Sequence, residues 1–169
     1  FRDYAKKLTK RDAQGNITRV GYAIRHVGHP HGIVHKHFWA IYGSGASLVD
    51  DPLALRGGKA NFNNDGGRAA LKLVLDMLDV DKSTSLNFPD PRAALLKGLA
   101  SMQISETVSI HERAPKEAPD LKWGLSATPV RKAGDKPITL LGRWMYAVPK
   151  IAKNREAAWQ LLGWINTPE

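Results

Sequence analysis

The sequence predicts an α/β fold in which helices cover a sheet, and two observations carry that prediction. Segments with apolar residues at helical spacing alternate along the chain with short apolar runs of strand length. Two of the helical segments also open on capping signals: Asn63 or Asn64 ahead of Asp65, and Asp90 ahead of Pro91. No internal repeat or low-complexity stretch interrupts the alternation.

In chain order, Phe1 to Lys10 has helical spacing, with Tyr4, Ala5 and Leu8 on one face. Asp12 to Asn16, with Gly15 inside it, is a turn, and Val20 to Ile24 is a short strand. Gly28 to Gly32 forms a loop. From Ile33 a helix carries Phe38, Ile41 and Tyr42 until Gly43 and Gly45 end it. Residues 48–58 form a hairpin or an irregular connection. The helix capped at Asn63 or Asn64 shows Leu71, Val74, Leu75 and Leu78 at helical spacing, with Asp65 in its first turn where the helix dipole favours negative charge. The helix opened by Asp90 has Ala94, Leu95 and Leu99 as its stripe. Met102 to Ile104 is a strand, Ala114 to Asp120 a loop, and Trp123 to Ala127 and Tyr146 to Val148 two further strands. A last helix from about Asn154 shows Ala158, Leu161, Leu162 and Ile165 on one face.

Composition narrows the function classes. The 169 residues, 43% of them hydrophobic, suffice for one core or two small lobes. No apolar run approaches the roughly 20 residues that span a bilayer, and mean hydropathy is −0.34. The absence of cysteine excludes disulfides, thiolate metal sites and cysteine nucleophiles. Phe1 leads into a helical pattern rather than a secretory leader, so the chain is expected to be a mature or excised segment. The 25 Lys and Arg against 16 Asp and Glu give a formal charge of +9. The basic residues are scattered, with one dense cluster at Lys6, Lys7, Lys10 and Arg11, and no aromatic-interleaved stripe accompanies them. The expectation is a basic surface without nucleic-acid binding. Asp50, Asp51 and Glu106 form no recognisable acid/base pair, so no enzyme is expected.

An ordered set of motifs carries a resemblance. An N-terminal Lys-rich helix leads to Phe38-Trp39-Ala-Ile-Tyr-Gly43-Ser-Gly45, then Leu48-Val-Asp50-Asp51, Ala60-Asn-Phe62-Asn63 and Gly67-Arg-Ala-Ala-Leu71. These are followed by Ala94-Leu-Leu-Lys-Gly98-Leu-Ala-Ser-Met102-Gln-Ile104, Pro119-Asp-Leu-Lys-Trp-Gly124, Gly142-Arg-Trp144-Met-Tyr-Ala-Val148 and Lys153-Asn-Arg-Glu156-Ala-Ala-Trp159, ending in Asn166-Thr-Pro168-Glu169. The succession resembles the family 1 extracellular solute-binding proteins, the sugar-binding receptors of ABC importers, over nearly the whole chain.

The resemblance implies a periplasmic-binding-protein-like lobe of type II, with helices on a mixed sheet, and a partial chain. Residues 1–136 would form most of the second lobe and 137–169 would return to the first, whose remainder is absent. It further implies a small-molecule solute, a sugar or polyol, bound between lobes by hinge closure. The expected partner is the membrane permease of an ABC transporter. The expected location is periplasmic or extracellular, with room for a lipid anchor in the full-length protein. A monomer without cofactor is expected.

Sugars offer apolar ring faces for aromatic stacking and hydroxyls for planar polar groups. The family position points to His35, His37, Phe38 and Trp39. Phe38 and Trp39 point about 100° apart on one helix, so one faces the cleft, or both pack in the core. Glu106, Thr107 and Ser109 stand in a loop that lines the cleft in the family, here without an aromatic. Trp144 and Arg143 stand in another contacting segment, Arg143 as a fork for hydroxyls or a carboxylate. Trp123, Trp159 and Trp164 are expected to be structural. The alternative function is a metal-binding module: His26, His29, His31, His35 and His37 fall within twelve positions, and His31 and His35 have the i,i+4 spacing of paired ligands on a helix, without the acidic residue of the zincin pattern.

Overall fold

The structure, a computed structural model, describes residues 1–28, 30–51, 58–104, 107–139 and 146–167, with the backbone alone for residues 31 and 107–109. Helix α1 (Arg2–Leu8) is followed by strands β1 (Lys10–Arg11) and β2 (Ile17–Ala23). The turn between the strands is built by Asp12, whose carboxylate accepts the backbone N–H groups of Gln14 at 3.0 Å and Asn16 at 2.8 Å. Gly15 supplies the left-handed residue at φ +85°. β1 and β2 are antiparallel, with the register slipping between Lys10 and Arg11.

The third strand, β3 (Ala100–Gln103), lies parallel to β2, with Val20 opposite Ala100 and Tyr22 opposite Met102. The sheet is therefore mixed, in the order β1-β2-β3, as expected. A parallel pair needs a long crossover. Here the crossover carries α2 (Pro30–His35), α3 (Phe38–Gly43), α4 (Asp65–Leu75) and α5 (Pro91–Leu96). The helix expected from Ile33 to Gly43 is thus two helices, broken at Lys36 and His37, and the first begins inside the expected loop.

Both faces of the sheet are covered. Ala5, Tyr22, Ile24 and Met77 form one buried cluster, joined by Phe1, Leu73, Met102 and Ile104. Val20, Ala23, Ala94 and Ala100 form another. This accounts for the unbroken apolar run at the end of β2, since a strand buried on both sides has no solvent face to alternate toward. Helix α1 approaches β2 very closely at Gly21, where a Cβ would lie 1.8 Å from the Ala5 carbonyl oxygen. Its buried residue is Ala5, while Tyr4 is exposed and Leu8 sits at the rim, because only a small side chain fits that approach.

Helix α4 is capped as the sequence indicates: the Asn64 side chain accepts the Gly67 N–H at 3.0 Å. Its inner face is not the expected stripe. Ala70, Leu73 and Met77 turn inward with Val74, whereas Leu71 and Leu75 are exposed. The approach of Gly66 to Ser44, where a Cβ would stand 2.4 Å from a carbonyl oxygen, sets the helix rotation. Helix α4 then widens into a π-helical turn, Asp76–Val80. This turn presents Asp76 and Asp81 to Arg2, whose Nη1 donates to Asp76 at 2.7 Å and Nη2 to Asp81 at 2.8 Å, with Nε also on Asp81.

Helix α5 opens as expected, Asp90 accepting the Arg92 N–H at 3.1 Å with Pro91 in the first position. Helix α6 (Thr107–Glu117) replaces the expected start of a loop at Ala114. Pro115 lies in its last turn and cannot donate the backbone hydrogen bond that position 115 would otherwise make to residue 111, and Arg113 clamps Glu117 across it at 2.5 and 2.7 Å. Ile110 and Ala114 pack on Leu96, with Trp123 against them.

The strands expected at Trp123–Ala127 and Tyr146–Val148 do not form. Trp123 packs as a side chain on the helices, Leu125 is exposed and Tyr146 is 73% exposed. Neither run has a partner strand among the described residues. The last helix, α7 (Arg155–Ile165), is where the sequence places it, yet none of its residues is buried. Trp159 and Trp164, expected to be structural, are exposed.

Candidate functional site

In an α/β sheet the place for a ligand is outside the carboxyl ends of parallel strands, where backbone groups are left unpaired and the connecting loops diverge. β2 and β3 end side by side at Ala23 and Gln103. The residues just beyond them, Arg25 and Ile104, help to wall a shallow surface depression. Lys36 from the α2–α3 junction and Asp90, Pro91 and Arg92 from the start of α5 complete it.

The break between α2 and α3 matters here. It turns Lys36 inward, where it is 6% exposed and engaged by its surroundings. The adjacent His37 is half-buried, and its imidazole bonds the backbone of Arg25. Burial lowers the His37 pKa, and the Arg25 carbonyl partly offsets this. His26 Nδ1 lies 3.1 Å from the Ile24 carbonyl oxygen. Two imidazoles therefore pin the backbone at the end of β2.

The aromatic residues divide. His35, Phe38 and Tyr42 form a ladder of edge-to-face contacts, with centroids 5.7 and 6.0 Å apart, and all three remain half-exposed. Trp39 points the other way. It is buried with Ala40 and Ala70, and its ring meets Phe1 edge-on at 5.3 Å. Its indole N–H makes no full hydrogen bond, although it is oriented so as to favour an ionised Tyr22 phenol; burial, the larger effect, pushes the Tyr22 pKa well up.

Of the expected site residues, the structure thus brings His35 and Phe38 to one half-exposed face, ties His37 to the strand end and places Trp39 in the core. Thr107 and Ser109 stand in the first turn of α6 rather than in a loop. Glu106, Arg143 and Trp144 lie outside the described residues. Sequence reasoning missed Arg25, Lys36, Asp90 and Arg92 as residues walling the depression. One signal was present: Arg25 follows an expected strand end, and Arg92 follows an expected cap.

Within α2, His31 and His35 do fall on one helix. Among the described residues, however, no group of three or more His, Asp or Glu stands close enough to hold a metal ion. His29 and the His31 side chain lie outside the description. Among the described residues, no helix is long and apolar enough to cross a membrane.

A sheet of parallel and antiparallel strands with helices on both faces, open at the carboxyl ends of its parallel pair, defines a lobe of the periplasmic-binding-protein type. Comparison with known proteins agrees. The model of the bacterial extracellular solute-binding protein family matches residues 1–169, and the chain belongs to that family. Among solved structures, the chain is similar to an ABC transporter solute-binding protein from Thermotoga lettingae TMO bound with α-D-tagatose, with a TM-score of 0.70 and 24% identity. The match covers 98% of this chain and 40% of that one, so the chain spans less than half the length of the protein it matches. Among curated proteins, none matches.

Proposed function

We propose that this chain is part of the substrate-binding component of an ABC importer, a receptor that binds a carbohydrate or related polar solute without transforming it. The observation that carries the reading is the half-exposed ladder of His35, Phe38 and Tyr42, in the segment where the family resemblance places ligand contacts. An open aromatic face suits a sugar ring, which is apolar on its faces. The tagatose held by the similar solved structure supports the same ligand class.

The receptor works by hinge closure. Ligand contacts from both lobes favour a closed form, which a membrane permease reads. Residues 1–136 form most of one lobe, and residues 137–169 belong to the other. The absence of any buried residue in α7 supports this division, since its apolar side chains have no cover within the described residues. Phe38 and His35 are assigned to stacking, with Glu106, Thr107, Ser109, Arg143 and Trp144 at the cleft, and the protein acts in the periplasm or outside the cell.

The test is thermal unfolding of the full-length protein against neutral sugars, sugar acids, polyols and divalent metals. A native-state ligand raises the midpoint with dose. A rise with one sugar class, reduced at least several-fold in affinity by Phe38→Ala, is the expected result. A rise with zinc alone, lost in His31→Ala and His35→Ala, would overturn the reading.

A further inference from the structure

His37 occupies the break between α2 and α3 and belongs to both helices. Its backbone N–H donates to the Val34 carbonyl oxygen at 2.9 Å, in the last turn of α2. Its own carbonyl oxygen accepts the N–H groups of Ala40 at 3.0 Å and Ile41 at 3.3 Å, in the first turn of α3. Its imidazole bonds the Arg25 backbone just beyond β2. One residue thus ties two helices to a strand end.

The two helices are not held alike. Trp39 and Ala40 root α3 in the core. Among the described residues, no side chain of α2 belongs to a buried apolar cluster, so the placing of α2 against α3 is set at the junction. The His35–Phe38 ring contact, with centroids 5.7 Å apart, crosses that junction, since His35 stands on α2 and Phe38 on α3. The Phe38–Tyr42 contact lies within α3. His37 therefore governs one half of the aromatic ladder and not the other.

A neutral imidazole suits this half-buried place better than a charged one, because an ion there loses part of its water. The Arg25 carbonyl oxygen accepts from either form and offsets only part of that cost. The charged groups about the junction are Lys36 beside it, Arg25 at the strand end, and Asp90 and Arg92 at the start of α5, which share a surface depression with the first two. His26 and His35 are the other imidazoles. Asp90 caps α5 and lies 3.5 Å from Arg92 Nε. No carboxylate favours the charged form of His37.

We propose that His37 is a positioning residue and an acid-sensitive clasp for the solute-binding face. Neutral, it holds α2 against α3 so that His35 and Phe38 present one continuous platform. Charged, it lets α2 swing away, and solute is released on acidification. The inference rests on the receptor reading above and adds its regulation. In this role His37 acts through His35 and Phe38 rather than by touching the solute.

The experiment uses the full-length protein, labelled at histidine and phenylalanine, between pH 7.5 and pH 5. Without ligand, NMR follows the His37 ring signals and the nuclear Overhauser effect between the His35 and Phe38 rings. That effect should weaken in step with the His37 titration. It should persist in His37→Gln, which keeps an N–H for the Arg25 carbonyl and takes up no proton in this range. The second readout is affinity for D-glucose, D-galactose, D-fructose and D-glucuronate. A probe bound at pH 7.5 should lose several-fold in affinity at pH 5 in the wild type and in His26→Gln, and keep its affinity in His37→Gln. A ring contact that survives the charging of His37, or that follows the titration of His35 instead, would overturn the clasp, and this test needs no variant to fold. An affinity loss that remains in His37→Gln would overturn it too. Binding of none of the sugars would overturn the receptor reading, and the ring contact would still decide the clasp.

Discussion

At the residue scale, Gly21 and His37 do the most with the least. Gly21 lets α1 rest directly on β2, and a single added methyl group would run into the Ala5 carbonyl. The Ala5 oxygen also accepts the Thr9 hydroxyl at 2.8 Å, and that hydroxyl in turn accepts the Gly21 N–H at 3.2 Å, so the helix cannot retreat without breaking both bonds. Gly21→Ala is therefore expected to destabilise the protein by about 1–3 kcal/mol, read from urea unfolding. An unchanged midpoint would show that α1 can shift freely.

His37 yields a pH prediction. Its folded pKa is lowered by burial, so the neutral ring is the stabilising form. That contribution is fully present above the ordinary histidine value of about 6.5 and is lost as pH falls through the folded value. Melting temperature should drop between pH 7.5 and pH 5, and His37→Gln should flatten that drop. At this scale the sequence marked His37 by its place among clustered histidines, but its bond to the Arg25 backbone depends on the break between α2 and α3, which no local pattern announces.

At the element scale, helix starts were legible and helix faces were not. The caps at Asn64 and Asp90 are local chemistry, a side-chain oxygen two or three residues from the N–H it accepts, and both stand as the sequence indicates. The inward face of α4 is a tertiary matter. Leu71 and Leu75 look as fit for the core as Leu73, and the contact of Gly66 with the end of α3 decides between them. Strands show the same limit: a run such as Tyr146–Val148 has strand character, but without a partner it remains unpaired. The mixed sheet followed from the family resemblance and not from the strand pattern alone. For the site, the sequence found the α2–α3 segment; the cations that meet there from residues 25 and 92 needed the topology.

The π-helical turn after α4 carries the third prediction. Asp76 and Asp81 have pKa values held below the ordinary carboxylate range. Bonding to Lys72 is the largest cause for Asp76, and bonding to Arg2 is the largest for Asp81. Their stabilisation is present above the unfolded carboxylate value of about 3.9 and disappears as pH falls through the lower folded values. Asp81→Asn should lower the melting temperature at pH 7 and narrow the gap to wild type as the solution is acidified toward pH 2. A constant gap across that range would count against the ion pair.

At the scale of the whole molecule, the core is built from the first part of the chain, and the last part is poorly covered. Helix α7 leaves Trp159, Leu161, Trp164 and Ile165 exposed. Amide hydrogens of α7 should exchange far faster than those of β2 in this 169-residue chain, because α7 has no buried contacts to stabilise it. In the full-length protein the α7 amides should become protected; equally rapid exchange there would mean that no other element covers the helix.

The parallel pairing of β2 with β3 also governs the order of folding. Val20 and Ala100, which face each other across it, are some eighty positions apart, so closing this contact means ordering a loop of nearly half the chain before the central strand is flanked on both sides. The β1–β2 hairpin, closed by a few residues around Asp12, can form in microseconds, whereas the pairing with β3 belongs to the slower, non-local class. During synthesis the apolar end of β2 therefore stays without its neighbour until residue 100 has appeared. For that interval, this strand is the segment most in need of protection from aggregation.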